Sequence, residues 1–159
     1  MKRLSKLRGW LLACALAAAL PMPSMGQTSS SSSGSSGKSR PIDISAMHRA
    51  MNNMVAVSNK KLAGTRVDEV TTLRMVTYDE GKPTLAYFYF VDFFVNTGRK
   101  TMTKAERDNV KNFNVASTCG GKFRPFMTEF GLEVAHHFQD ASTGIHLIEI
   151  RVKRDDCNA

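Results

Sequence analysis

The chain is poor in cysteine and lacks the short motifs that mark common enzyme classes. Only three of its 159 residues are cysteine, and only one is tryptophan. It contains no G-x-S-x-G, no H-E-x-x-H and no glycine-rich phosphate loop, so no nucleophile elbow, helical zinc-protease site or nucleotide cradle is encoded. Nothing in these patterns points to an enzyme, and we expect no catalytic residues, no cofactor and no metal.

A hydrophobic run long enough to span a membrane is also missing, although a shorter one lies near the N-terminus. Four basic residues precede this run at 9–20, and the small residues Ser24 and Gly26 follow it. The arrangement is typical of a Sec-type signal peptide, so we expect residues 1–26 to be removed by cleavage near Gly26. Almost no apolar segment precedes Cys14, which argues against a lipoprotein signal. The sequence therefore predicts a periplasmic or secreted product without stable membrane insertion after cleavage.

A strong charge of one sign is missing once the leader is removed. The full chain has a formal net charge of +8, but without the four basic leader residues 18 Lys and Arg stand against 14 acids, a net charge of +4. This balance gives little support for nucleic acid as a partner, and an exported protein rarely meets it. Residues 27–41 are mostly Ser and Gly and predict a flexible linker, which leaves 42–159 for a single domain.

The domain begins with the pattern of an amphipathic helix followed by two strands. Apolar residues recur at intervals of three and four between an N-cap at Asp43 and a stop at Gly64. A stripe of methionines lies on the apolar face, which favours core packing over copper binding or a partner surface. Residues 66–78 and 84–95 then predict two strands joined by a short turn.

The second of these strands is apolar on both faces. One face carries the candidate binding residues Tyr87, Tyr89, Val91 and Phe93, and the other face carries three phenylalanines. A strand of this kind is either covered on both sides or exposes an aromatic patch. We expect the phenylalanine face to be the core and the tyrosine face to be half exposed to a partner, since tyrosine suits a binding surface. The alternative is that loops or the N-terminal segment cover the tyrosine face.

Two helices and a hairpin complete the domain. A capping box at Thr103–Glu106 begins the first helix, which ends near Cys119, and residues 123–130 predict a second, short helix. Alternation of apolar and polar residues then predicts a hairpin in which Phe138 lies opposite Ile148. Three residues, Ser142, Thr143 and Gly144, are left for its loop.

Three histidines of the hairpin are the candidates for a metal site or a general base. The register turns His136 toward the core and His137 to the opposite face. It places His146 opposite Asp140 on the core side. Because these side chains do not converge, we do not expect a zinc site here.

Cys119 and Cys157 are the cysteines that remain after cleavage. Two cysteines in an exported chain favour a disulfide over a metal site, because thiolate sites usually need four closely spaced ligands. The element order α-β-β-α-α-β-β predicts an α+β fold with an antiparallel four-stranded sheet, helices packed on one face and one disulfide.

The C-terminal 60 residues or so resemble a bacterial family. The pattern consists of N-x-x-x-x-C at Asn114–Cys119, Arg124–Pro125, Gly131–Val134, the aromatic Phe138, and the segment Ile148–Cys157 ending in Asp-Asp-Cys. It is similar to small exported α/β proteins called quorum-sensing-regulated virulence factors, although His136 and His137 stand where that family usually shows tyrosine. Pilotin-type accessory proteins of secretion systems would look much the same. The resemblance implies a small disulfide-closed α+β sandwich and no defined catalytic residues.

These observations together predict a non-catalytic exported module that binds another envelope or secreted protein, in a virulence- or secretion-associated role. The tyrosine face of the second strand or the helix face would make the contact. One alternative is an inhibitor or immunity-type protein that binds an enzyme through loops such as Asn96–Thr101. Another is a small-ligand carrier or enzyme with a pocket under the aromatic strand.

Overall fold

The structure, a computed structural model, describes residues 43–158. The predicted signal peptide and linker lie outside the described residues. In chain order the elements are α1 (Ile44–Leu62), β1 (Thr71–Asp79), β2 (Thr84–Val91), α2 (Phe93–Thr97), α3 (Lys104–Gly120), α4 (Arg124–Phe130), β3 (Glu133–Asp140), β4 (His146–Val152) and a C-terminal 3-10 helix (Arg154–Cys157). Among the described helices, none combines the length and apolar character needed to cross a membrane.

The strands form one four-stranded sheet in the order β1-β2-β3-β4. The pairs β1–β2 and β3–β4 are antiparallel hairpins, but β2 and β3 are parallel neighbours. The predicted α+β fold is confirmed, whereas the expectation of a purely antiparallel sheet is wrong. Alternation along a strand shows which face is buried and does not show the direction of the neighbouring strand. Here the helical crossover from β2 to β3 returns the chain so that β3 runs in the direction of β2.

β1 begins later than the alternation predicts, and the backbone at its free edge forms hydrogen bonds with a side chain of α1. The Asp68 carboxylate accepts hydrogen bonds from the amides of Val70 and Thr71, each at 2.7 Å, and this local turn delays the strand. Further along, the Asn59 side chain of α1 donates to the Val76 carbonyl at 2.8 Å and accepts from its amide at 2.7 Å. The α1 helix thereby satisfies the backbone of an edge strand that would otherwise be open to pairing.

β2 ends at Val91, four residues before the predicted end. The chain turns into the short helix α2, where the Phe94 amide donates to the Asp140 carboxylate at 2.7 Å. Gly98 ends this helix with φ of +70°, a conformation that glycine adopts without strain. The Asp140 carboxylate at the end of β3 thus holds the start of α2 beside the end of β2, a contact between residues 46 positions apart.

Helices α1, α3 and α4 pack on one face of the sheet. The predicted N-cap of α1 is confirmed, because the Asp43 carboxylate accepts a hydrogen bond from the Ala46 amide at 3.0 Å. The predicted capping box of α3 is also confirmed, with Thr103 and Glu106 each bonding the other's backbone. The predicted methionine stripe of α1 lies in the core, where the buried residues of that helix are Met47, Met51, Met54 and Ser58.

The predicted disulfide is present. Cys119 in the last turn of α3 is bonded to Cys157 in the C-terminal 3-10 helix, across a sequence separation of 38 residues. Both cysteines pack against the hydrophobic core. The bridge therefore fastens the end of the chain to the helix layer.

The β3–β4 hairpin has the predicted register up to its loop end. Phe138 pairs with Ile148, but a bulge follows, so Gln139 pairs with His146. Leu147 and Ile148 both pack against the core, although adjacent residues of a regular strand point to opposite faces. The extra residue turns His146 outward, so its predicted place opposite Asp140 on the core side is wrong.

Candidate functional site

The tyrosine face of β2 is the core of the protein. The four candidate binding residues Tyr87, Tyr89, Val91 and Phe93 are exposed by only 1%, 4%, 1% and 3%. The Tyr87 ring stacks on His136 of β3 at a centroid distance of 5.5 Å and meets Phe123 of the helix layer edge-on at 6.4 Å. The expectation that this face is half exposed is therefore wrong. These side chains offer a partner almost no surface.

The phenylalanine face of β2 is instead the outer face of the sheet. Phe88 and Phe90 are half-buried, and neither belongs to the hydrophobic core. Their alternation leads to Asp92, which forms an ion pair with Arg66 at 2.7 Å. The carboxylate at that position is the sequence signal for the solvent side. The preference of tyrosine for protein interfaces favours the opposite, incorrect assignment of the two faces.

Charged and ring side chains from neighbouring strands flank the two phenylalanines. The His137 ring lies on Phe88 with centroids 4.6 Å apart and planes at 7°, and the Arg74 guanidinium lies 5.0 Å above Phe90. We call this surface the outer aromatic face, and define it by Arg74, Phe88, Phe90 and His137. It combines flat apolar rings with a cation and a polar ring, the composition enriched at protein interfaces.

A shallow depression of about 200 Å³ lies on this face. Its lining residues are Arg74, Phe88, Tyr89, His137, Gln139 and His146. Pockets that enclose drug-sized ligands start at about 300 Å³ and surround most of the ligand. The depression therefore suits a side chain or a small ion better than a carried small molecule.

His136 and His137 lie on opposite faces, as the alternation predicts. His136 is buried, shares a hydrogen bond of 3.2 Å between its Nε2 atom and the Thr118 hydroxyl, and has its pKa lowered to about 3, first by burial and then by His137. Burial is also the main reason that the pKa of His137 lies below its ordinary value. The opposing effect of the Glu149 carboxylate is smaller.

His146 and Glu149 join His137 on the outer face. One ligand atom from each of the three lies within 4.8 Å of the others. The alternation alone misses this cluster because the bulge that redirects His146 has no distinct residue signature.

The loop that the inhibitor hypothesis requires, Asn96–Thr101, is anchored at its centre. The Arg99 guanidinium forms two hydrogen bonds with the Glu106 carboxylate and lies 5.3 Å over the Phe93 ring. The hydrogen bonds from Arg99 are the main cause that holds the pKa of Glu106 below its ordinary value. Just before the loop, Val95 in the middle of α2 is 71% exposed.

The fold is similar to two solved structures. A protein of Pseudomonas aeruginosa assigned as secreted matches with a TM-score of 0.53 and 17% identity, over 72% of this chain and 92% of that chain. The pilotin of the type 2 secretion system of Vibrio vulnificus matches with a TM-score of 0.54 and 13% identity, over 71% of this chain and 93% of that chain. No family model and no curated protein matches the chain. At these identities, the likeness shows a shared fold.

Proposed function

We propose that the protein is a small exported accessory module, periplasmic or secreted, that binds another envelope or secreted protein and performs no catalysis. The outer aromatic face makes the contact. The observation that carries this proposal is the position of Phe88 and Phe90, which lie on the sheet face opposite the core although β2 has a full second apolar face inside. Aromatic side chains on an uncovered strand face commonly mark a contact surface.

The surroundings of the two phenylalanines favour a protein as the ligand. Glu133 forms ion pairs with Arg151 at 3.7 Å and with Lys153 at 3.5 Å on the same face of the sheet, so the aromatic centre has a charged rim. A central apolar patch within a polar rim is the usual anatomy of a protein–protein interface. The small volume of the depression counts against a carried small molecule.

The resemblance of the C-terminal segment and the shared fold suggest which partners to test first. The segment resembles exported virulence-associated proteins, and one of the similar structures is a pilotin of a type 2 secretion system. Envelope components of a secretion system are therefore the first candidates, and secreted proteins are the second.

A comparative cross-linking experiment tests the proposal. The chain, expressed with its own leader, is cross-linked in whole cell envelopes beside the double variant Phe88→Ser, Phe90→Ser. We expect one dominant partner with the unsubstituted chain and its loss with the variant. Thermal unfolding of the purified variant must show a folded domain.

The matched control removes apolar surface from the opposite layer. Ile44 and Val57 of α1 are 54% and 39% exposed, so Ile44→Ser with Val57→Ser makes the same chemical change away from the sheet. This control is expected to retain the partner. If the outer-face variant is folded and still captures the partner, or if only the control loses it, the outer aromatic face is not the contact surface.

A further inference from the structure

We propose that His137, His146 and Glu149 bind a divalent transition-metal ion of the zinc class on the outer face of the β3–β4 hairpin. Two imidazoles and one carboxylate are a ligand set that proteins use for Zn²⁺, with the fourth coordination position left open. The three potential ligand atoms lie within 4.8 Å of one another. This inference concerns the isolated chain and does not depend on the partner proposed above.

The backbone of the hairpin brings the ligands together. His137 and Glu149 are direct cross-strand partners, so their side chains project from the same face of the sheet. His146 joins them because the bulge lets Leu147 and Ile148 both turn inward. A bulge that redirects one side chain beside a functional site is a recurrent device in sheets.

The spacing of the donor atoms is near that of a metal site. Zinc bonds of 2.0–2.2 Å in a tetrahedron separate neighbouring ligand atoms by about 3.4 Å. The Nδ1 atom of His137 and the Oε2 atom of Glu149 are 3.6 Å apart. The His146 side chain is exposed, so a change of rotamer can bring its donor atom from within 4.8 Å of the other two to this spacing without moving the backbone.

Neighbouring side chains hold two of the ligands in position. Phe88 stacks flat on the His137 ring, and Arg151 donates from its Nε atom to Oε1 of Glu149. The other carboxylate oxygen, Oε2, is the one that faces His137. Contacts of this type orient metal ligands in known sites.

Two arginines near the site oppose a bound cation. Arg151 is paired with the carboxylates of Glu133 and Glu149, which offset its charge. Arg74 lines the same depression and has Phe90 beneath its guanidinium. Coulomb repulsion from Arg74 weakens the binding of a cation, so Arg74→Gln is expected to increase the affinity for Zn²⁺ several-fold.

Titration of the untagged, disulfide-bonded chain with Zn²⁺ tests the site. Calorimetry gives the stoichiometry, which is expected to be one ion per chain. Nitrogen NMR of the imidazoles identifies the ligands, because binding should shift the resonances of His137 and His146. Two other histidines serve as internal controls, and their resonances should stay unchanged. His136 is buried, and the Nδ1 atom of His48 lies 2.7 Å from the Tyr78 hydroxyl.

Single substitutions distinguish a built site from general binding to exposed groups. His146→Gln and Glu149→Gln alter exposed side chains, and each is expected to weaken Zn²⁺ binding about tenfold or more. His48→Gln removes a histidine outside the cluster and should leave the affinity unchanged. Failure of the unsubstituted chain to bind Zn²⁺, or equal affinity in the chain and the His146→Gln variant, would overturn the proposal.

Discussion

The ring of His136 stacks on the ring of Tyr87 in the centre of the core, with centroids 5.5 Å apart and planes at 13°. Among the described residues, no group forms a hydrogen bond with the Tyr87 hydroxyl or with Nδ1 of His136. Burial raises the pKa of Tyr87 and lowers that of His136, so both side chains are neutral at pH 7. Because burial opposes protonation of His136, the free energy of unfolding depends on pH.

Lowering the pH from 6.5 to 4.5 is expected to destabilise the protein by roughly 2–3 kcal/mol through His136. The unfolded imidazole takes up a proton below its ordinary pKa of 6.5, whereas the folded one resists protonation until about pH 3. The stabilising contribution is therefore complete above pH 6.5 and is lost as the pH falls toward 3. Urea unfolding at a series of pH values measures this slope.

The variant His136→Phe is expected to flatten the slope between pH 6.5 and 4.5, because it keeps an aromatic ring in the core and removes the titrating group. His137→Gln is the matched control, since its pKa is also lowered but its side chain is partly exposed. A smaller change is expected there. If both variants retain the slope of the unsubstituted chain, another group causes the acid sensitivity.

Tyr87→Phe is expected to leave the protein equally stable or to stabilise it by up to about 1 kcal/mol. The substitution removes a buried hydroxyl that has no protein hydrogen-bond partner and keeps the ring that fills the core. Tyr78→Phe is the matched control because its hydroxyl lies 2.7 Å from Nδ1 of His48, and its loss should cost about 1 kcal/mol. Thermal unfolding should show a loss of stability for Tyr78→Phe and none for Tyr87→Phe, and a clear loss for Tyr87→Phe contradicts the prediction.

Removing the disulfide with Cys119→Ala and Cys157→Ala is expected to lower the free energy of unfolding by about 4 kcal/mol. The bridge closes a loop with a sequence separation of 38 residues, and an unfolded chain without it gains that conformational freedom. Denaturant unfolding measures the loss. Reduction of the unsubstituted chain should give a loss of similar size, and a change below about 1 kcal/mol in both experiments would contradict the chain-entropy explanation.

Local patterns in the sequence predict α1, α3, α4 and the four strands, but they do not predict α2 or the C-terminal 3-10 helix. Both helix caps at Asp43 and Thr103 are side chains that bond backbone groups within three residues. The hairpin pairing of Phe138 with Ile148 follows from alternation together with the turn, since a shift by one residue would bury Glu149 and Arg151. In each case the deciding interaction joins residues close together in the sequence, or the deciding pattern is repeated along a strand.

The features that the sequence does not reveal depend on contacts between distant elements. The parallel pairing of β2 with β3 follows from the path of the helical crossover, which no strand pattern records. Both faces of β2 are aromatic, with Tyr87 on one and Phe88 on the other, so Asp92 alone indicates in the sequence which face meets solvent. The outward position of His146 depends on one bulge. The candidate site is built from such features and is therefore the part predicted least well.

Asp140 joins the β3–β4 loop to α2, and Asp140→Asn is expected to destabilise the protein by roughly 2–4 kcal/mol. One carboxylate oxygen accepts hydrogen bonds from the amides and hydroxyls of Ser142 and Thr143, and the other accepts from the Phe94 amide. Burial alone would raise the pKa of Asp140, but these hydrogen bonds outweigh it and lower the pKa. An amide has only one acceptor oxygen, which is expected to stay with the four donors of Ser142 and Thr143, so its NH₂ group turns toward the Phe94 amide. Hydrogen exchange at Phe94 should therefore become faster.

Asp79 is the control that distinguishes the contact of Asp140 with α2 from the ordinary stabilisation of a turn by an aspartate. Within residues 43–158, the exposed carboxylate of Asp79 accepts hydrogen bonds only from the nearby amides of Gly81 and Lys82. Asp79→Asn should therefore cost less than about 1 kcal/mol, because water can replace the lost acceptor. Equal losses at Asp79 and Asp140, with unchanged exchange at Phe94, would mean that the carboxylate of Asp140 does not fasten α2 to the end of β3.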